Sequence, residues 1–157
     1  EMDDAIMSHL RRQHSLLIGE QTAERVKLTV GSAWPMDQEL SMEVKGRDSV
    51  TGLPRRTTVT SIEIRDALQG TVRTICEGVR SILEESPPEI AADLVEGGAT
   101  LVGGGALLYG MGDAMSDLLG IPAKVGPEPL TAVARGTGIF LDKLEVFSQV
   151  LGTEEEE

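Results

Sequence analysis

Apolar residues recur at Met2, Ile6, Leu10 and Leu17, while Asp3, Asp4, Arg11 and Arg12 lie off that stripe. The spacing predicts an amphipathic helix over 2–18, broken by Gly19, with acids near its front and arginines further on to suit the helix dipole. "EQTAERVKLTVG", 20–31, reads as a second helix closed by Gly31. In "ELSMEVKGRD", 39–48, Leu40, Met42 and Val44 alternate with polar neighbours, as in a strand with one face on a core. "RRTTVTS", 55–61, reads as its hairpin partner, with turn residues between the two.

Thr60 and Glu63 have capping-box spacing. Behind them Ile64, Leu68, Val72, Ile75, Val79 and Ile82 step by three and four, the longest clean helical stripe in the chain, ending near Glu85. Ser86, a proline and Glu89 repeat the start signal for a further helix. Then come a strand at 99–102, three glycines, a helix to about Leu119, and a short strand in "IPAKVG". A last helix follows in "PLTAVARGTGIFLDKLEVF", interrupted by Gly136 and Gly138. The back half therefore alternates helix and strand, the rhythm of an α/β layer, with the hairpin ahead of it. Two strands seldom make a stable sheet alone, so partners outside the chain are expected.

Composition narrows the function classes. The formal charge of −12 over 157 residues and only four aromatics (Trp34, Tyr109, Phe140, Phe147) argue against nucleic acid, which demands a basic face or stacking platforms. Part of that charge is the run Glu154 to Glu157, expected to be solvated and disordered. Cys76 is the single cysteine, which excludes an internal disulfide and fits a reducing compartment. No apolar run approaches the ~18 residues of a membrane span and no leader opens the chain, so a cytoplasmic location is expected. Glu1 reads as the inside of a helix, which suggests a fragment.

Chemistry has few candidates. Gly103, Gly104 and Gly105 follow a strand, where glycines serve either a tight turn or the close approach of a ligand. Leu108 stands where a dinucleotide fingerprint needs glycine, and no lysine follows to make a phosphate loop. His9 and His14 are five apart on one helix, do not share a face, and read as surface residues without a metal set. Cys76 lies beside an apolar stripe and reads as a packed thiol. Glu24 and Lys27, three apart, share a helical face; taken alone they read as a surface ion pair.

Four segments read together change that. "SLLIGEQTAERVKLTVGSAWP", "VKGRDSVTGLPRRTTVTSIEIRDAL", "LVGGGALLYG" and "GIPAKVGPEPLTAVARGTG" resemble, in order and spacing, the MreB family of bacterial actins, over nearly the whole chain. Tyr109 departs from the family's usual arginine, and "VGPEPL" from its "AEDPL". The resemblance implies the second half of an actin-like ATPase of ribonuclease-H-like α/β fold. It assigns 1–18 to a first helix at the lobe junction and 19–85 to a small lobe of helix, β-hairpin and long helix. Residues 86–148 would belong to the C-terminal part of the large lobe, and 149–157 to an acidic tail.

For the site, the resemblance implies that Gly103, Gly104, Gly105 and Ala106 pass under the base and ribose of ATP, with Glu24 and Lys27 reaching the sugar and adenine from the other side. Ala132, Ala134 and Gly136 would let two helices approach and the lobes hinge. The implied parent is an ATP- and magnesium-dependent filament protein that organises cell-wall synthesis and rod shape. Its implied partners are further copies of itself and wall-synthesis and shape proteins. It would lie at the inner face of the membrane and touch it, if at all, through a first lobe absent here. No catalytic or metal-ligating residue is assigned to this chain, and alone it is not expected to hydrolyse ATP. A non-catalytic actin-like scaffold or regulatory module is the alternative; a chaperone ATPase or sugar kinase fits the quoted segments less well.

Overall fold

A computed structural model describes the backbone of residues 1–151 and the side chains of 1–147. Its elements run α1 (Met2–His14), β1 (Leu16–Leu17), α2 (Glu20–Val30), β2 (Ser41–Asp48), β3 (Pro54–Thr60), α3 (Ser61–Glu85), α4 (Pro88–Gly97) and β4 (Ala99–Leu101). A single 3-10 turn (Gly104–Leu107), α5 (Met111–Leu119), β5 (Ala123–Val125), α6 (Ala132–Asp142) and α7 (Leu144–Leu151) complete it. The disorder expected of Glu154–Glu157 falls outside the described residues.

The expected hairpin forms, with Met42 opposite Val59 and Val44 opposite Thr57. Its turn is built on Asp48, whose carboxylate accepts the backbone N–H groups of Thr51 and Val50 and a bond from Arg55; together they hold its pKa down to about 2. The first helix is shorter than its apolar stripe suggests. Ser15 takes a left-handed conformation (φ 49°), ends α1 at His14, and turns Leu16–Leu17 into an edge strand paired antiparallel to β2. Leu17 keeps helical spacing by coincidence, because a two-residue strand carries no period of its own.

Ile6 and Leu10 of α1, Val26 and Val30 of α2, Val44 and Val59 of the hairpin, and Ile64 and Leu68 of α3 are all fully buried. Each such side chain contributes roughly 1.5–3 kcal/mol relative to exposure. The same cluster continues through Val72 and Cys76 to Leu108, Met111, Ala114 and Met115, so α5 shares one core with the front half. β4 and β5 pair in parallel across the α5 crossover, Ala99 opposite Ala123 and Leu101 opposite Val125. Beyond them α4 and α6 bury no residue, and Val95, Leu130, Val133 and Leu141 stand mostly exposed. Ser86 does not cap α4; its hydroxyl bonds back to the Ile82 carbonyl and closes α3. The break in the last helix falls at Lys143, between α6 and α7, and not at Gly136 or Gly138.

The two histidines are not surface residues. His9 Nε2 lies 2.9 Å from Glu63 Oε1, His14 Nε2 meets the same oxygen, and His14 Nδ1 faces the Thr57 hydroxyl at 3.2 Å. Spacing on a helix separates their directions. His14, however, is the last helical residue, and a single carboxylate at the start of α3 is reached by both rings. Thr60 caps α3 as expected, accepting the Glu63 N–H, but the reciprocal bond is not made because the Glu63 carboxylate serves the histidines.

Burial alone would raise the Glu63 pKa; the bonds from His14 and His9 outweigh it and hold the carboxyl below its ordinary value of 4.5. A carboxyl lowered in the folded state contributes stability that is complete above the unfolded value and lost as pH falls through the folded one. Glu63→Gln should therefore cost roughly 1–3 kcal/mol near neutral pH and reduce the acid-side loss of stability. Urea unfolding of both proteins from pH 7 to pH 3 measures this. Parallel pH profiles would show that the cluster does not couple α1 to α3.

Candidate functional site

The chain after β4 makes a sharp turn. Gly103 has φ 86° and donates its N–H to the Pro129 carbonyl at 2.7 Å. Gly104 and Gly105 then open the 3-10 turn, so the regular helix expected directly after the glycines begins only at Met111. A Cβ on Gly105 would meet nothing within 4 Å, and one on Gly104 only the Leu130 side chain at 3.6 Å. Nor is positive φ required at either position, since only Gly103 among the three has it. Packing within the chain therefore requires glycine at neither position, and the backbone there is exposed to open space.

That space is a cleft of about 630 Å³ between α2, the front of α1 and the glycine turn, within the usual range for a small-molecule site. Lys27, Asp3, Gly104, Gly105, Leu107 and Tyr109 are among its lining residues. Of the six residues singled out in the sequence, the structure brings Lys27, Gly104 and Gly105 together. Ala106 is the buried residue of the turn itself, and it and Gly103 lie outside the lining. Glu24 is exposed one turn earlier on α2 and also stands outside it.

A Glu24–Lys27 ion pair does not form. Lys27 instead pairs with Asp3, with Nζ 2.9 Å from Oδ1 and donating to Oδ2 at 3.0 Å. Asp3 drew attention in the sequence only as an acid in a first helical turn; the two residues are 24 positions apart, and no spacing rule connects them.

One seam joins the loop after α2 to the segment after the glycine turn. Ser32 and Tyr109 form a parallel bridge, and the Ala33 N–H donates to the Tyr109 carbonyl at 2.7 Å. Gly110 follows with φ 69°, and a Cβ there would sit 2.3 Å from the Trp34 Cβ. Behind the seam Arg65 donates to the fully buried Ser32 hydroxyl at 3.1 Å and to Glu39 at 2.8 Å. The bonds from Arg65 and Ser61 hold the Glu39 carboxyl below its usual range.

A second groove, of about 380 Å³, opens on the other side, with Trp34, Arg65, Arg73 and Asp117 in its walls. Cys76 is buried, and burial pushes its thiol pKa up, as suits a packed group and not a nucleophile. Among the described residues no His, Cys, Asp and Glu group could hold a metal ion, and no helix is long and apolar enough to cross a membrane.

The comparisons agree with the four segments. The family described as MreB/Mbl protein matches residues 1–149. The cell shape-determining protein MreB of Escherichia coli is 44% identical over 153 residues, covering 98% of this chain and 44% of that protein. MreB5 of Spiroplasma citri has been solved bound to ADP (35% identity, TM-score 0.88, 96% of this chain and 45% of that one). It has also been solved bound to AMPPNP (36%, 0.89, 94% and 44%). The MamK double helical filament shares the fold at 18% identity and TM-score 0.74, over 90% of this chain and 43% of that one. The chain thus spans about 44% of the length of the relatives it matches.

The glycines of the site divide by cause. Gly110→Ala meets both strained φ and the Trp34 contact and should destabilise by roughly 2–4 kcal/mol. Gly104→Ala should stay within about 1 kcal/mol of wild type. Denaturant midpoints measure both; similar losses would mean that packing, and not an open cleft, requires Gly104.

Proposed function

Because the chain belongs to the MreB/Mbl family, whose curated members here are cell shape-determining proteins, we propose that it forms one wall of an adenine-nucleotide cleft in a filament-forming cytoskeletal protein. The α/β fold is that of part of an actin-like protein, as its superposition on MreB5 shows. One observation carries the nucleotide assignment: Gly104 and Gly105 are glycine without internal need, and they face the same cleft as the Lys27 ammonium.

A flat base or ribose can lie against backbone that carries no side chain. The ADP and AMPPNP bound to MreB5 make an adenine nucleotide the natural occupant. Lys27 would donate to acceptors on the nucleoside, and the backbone at 103–106 would floor it, with Ala106 buried below. Glu24 would have to swing from its exposed position to join them. Magnesium and the hydrolytic groups act on phosphates; none of the residues named here supplies them, so the role proposed for this chain is binding.

Self-association is proposed on the same footing. MamK, which shares the fold, is a double helical filament. The exposed Val95, Leu130, Val133 and Leu141 fit a flank covered by other protein. Attachment to the inner face of the membrane and contacts with wall-synthesis proteins belong to the complete protein in this proposal.

Calorimetric titration of ATP with magnesium into the chain tests the cleft. Binding is expected, and Gly104→Val, which fills the space over the turn, should weaken it at least about tenfold with an unchanged unfolding midpoint. Equal affinity in the valine variant would place the nucleotide elsewhere.

A further inference from the structure

We infer that Asp3 is a positioning residue for nucleotide binding: it fixes the Lys27 ammonium at the wall of the cleft, in the place from which it meets the nucleoside. The inference rests on the nucleotide reading above and adds a residue from a different helix. Asp3 stands in the first turn of α1, and Lys27 in the last turn of α2. Each therefore also sits at the helix end that its charge favours. Their side chains are 33% and 22% exposed, and both line the cleft with Gly104 and Gly105.

A lysine carries its charge on a flexible four-carbon stem, so an unpaired ammonium samples many positions. The Lys27 ammonium has no other hydrogen-bond or ion-pair partner among the described residues. Glu24, on its own helix and three residues away, does not compete for it. The place of the charge is therefore set by Asp3 alone. With its contacts to the two Asp3 oxygens, the ammonium still keeps at least one N–H for a ribose oxygen or a purine ring nitrogen.

Both Asp3 carboxylate oxygens contact the ammonium, Oδ1 at 2.9 Å and Oδ2 at 3.0 Å, so the charge is held from two points. The pair stands in the wall of the open cleft, beside Gly104 and Gly105.

A double-mutant cycle read by ATP and by adenosine tests the assignment. Lys27→Met and Asp3→Asn should each weaken both ligands by roughly tenfold, and the double variant should be no more than about twofold weaker than Lys27→Met. Asp3→Glu, which restores the charge on a longer arm, should recover part of the loss. Equal weakening of adenosine and ATP is required, because a charge effect on the phosphates would spare adenosine. Wild-type affinity in Asp3→Asn beside a weakened Lys27→Met would overturn the positioning role and leave the nucleotide reading standing. Additive losses of about a hundredfold in the double variant would do the same. A folded wild-type chain that binds neither ligand would overturn both. Circular dichroism melts establish folding, and Asp3→Ser replaces Asp3→Asn should that variant unfold.

Discussion

The loop leaving α2 is joined to the segment after the glycine turn by a short backbone seam, the Ala33 N–H on the Tyr109 carbonyl within the Ser32–Tyr109 bridge. Everything proposed for the cleft depends on it. The loop leaving α2 must run alongside residues 108–110, and it can do so only because Gly110 takes positive φ beneath Trp34. Arg65 then fastens the loop to α3 through Ser32 and Glu39. A hydrogen bond of this kind contributes about 1 kcal/mol net. Its structural effect is larger, because it joins the front core to the segment carrying Gly104 and Gly105. The apolar cluster that passes from Ile64 and Leu68 to Met111 and Met115 makes that junction one continuous core.

α1 contributes to both faces of this arrangement. Ile6 and Leu10 bury against the core. Asp3 reaches Lys27 at one end, and His9 and His14 reach Glu63 further along. A helix that looks like a plain amphipathic support thus carries polar contacts to α2, α3 and β3. The C-terminal flank is the opposite case. A two-stranded parallel sheet with α4 and α6 unburied is half of a layered structure. This agrees with a chain spanning about 44% of its relatives' length.

Much of this was legible in the sequence, for reasons that are local. The stripe from Ile64 to Val79 gave α3 because its period is long and unbroken. Thr60 gave its start, and the alternation at Met42 and Val44 gave the hairpin. Contacts that join distant positions were not legible. Nothing in the spacing of Asp3 and Lys27 marks them as partners, and the five-residue step between His9 and His14 pointed away from a shared carboxylate. Ser15 ended α1 by a left-handed turn that serine does not advertise. At the site, glycines following a strand were visible, but whether they met a wall or a void required the fold. Gly110 met a wall, and Gly105 a void.

If the nucleotide lies between α2 and the glycine turn, amide NMR of the 157-residue chain titrated with ATP will register it there. The amides of Lys27, Gly31, Gly104 and Gly105 should shift together, on one binding isotherm. Shifts gathered instead at Trp34, Arg65 and Arg73, around the second groove, or none at all in a well-dispersed spectrum, would contradict that placement.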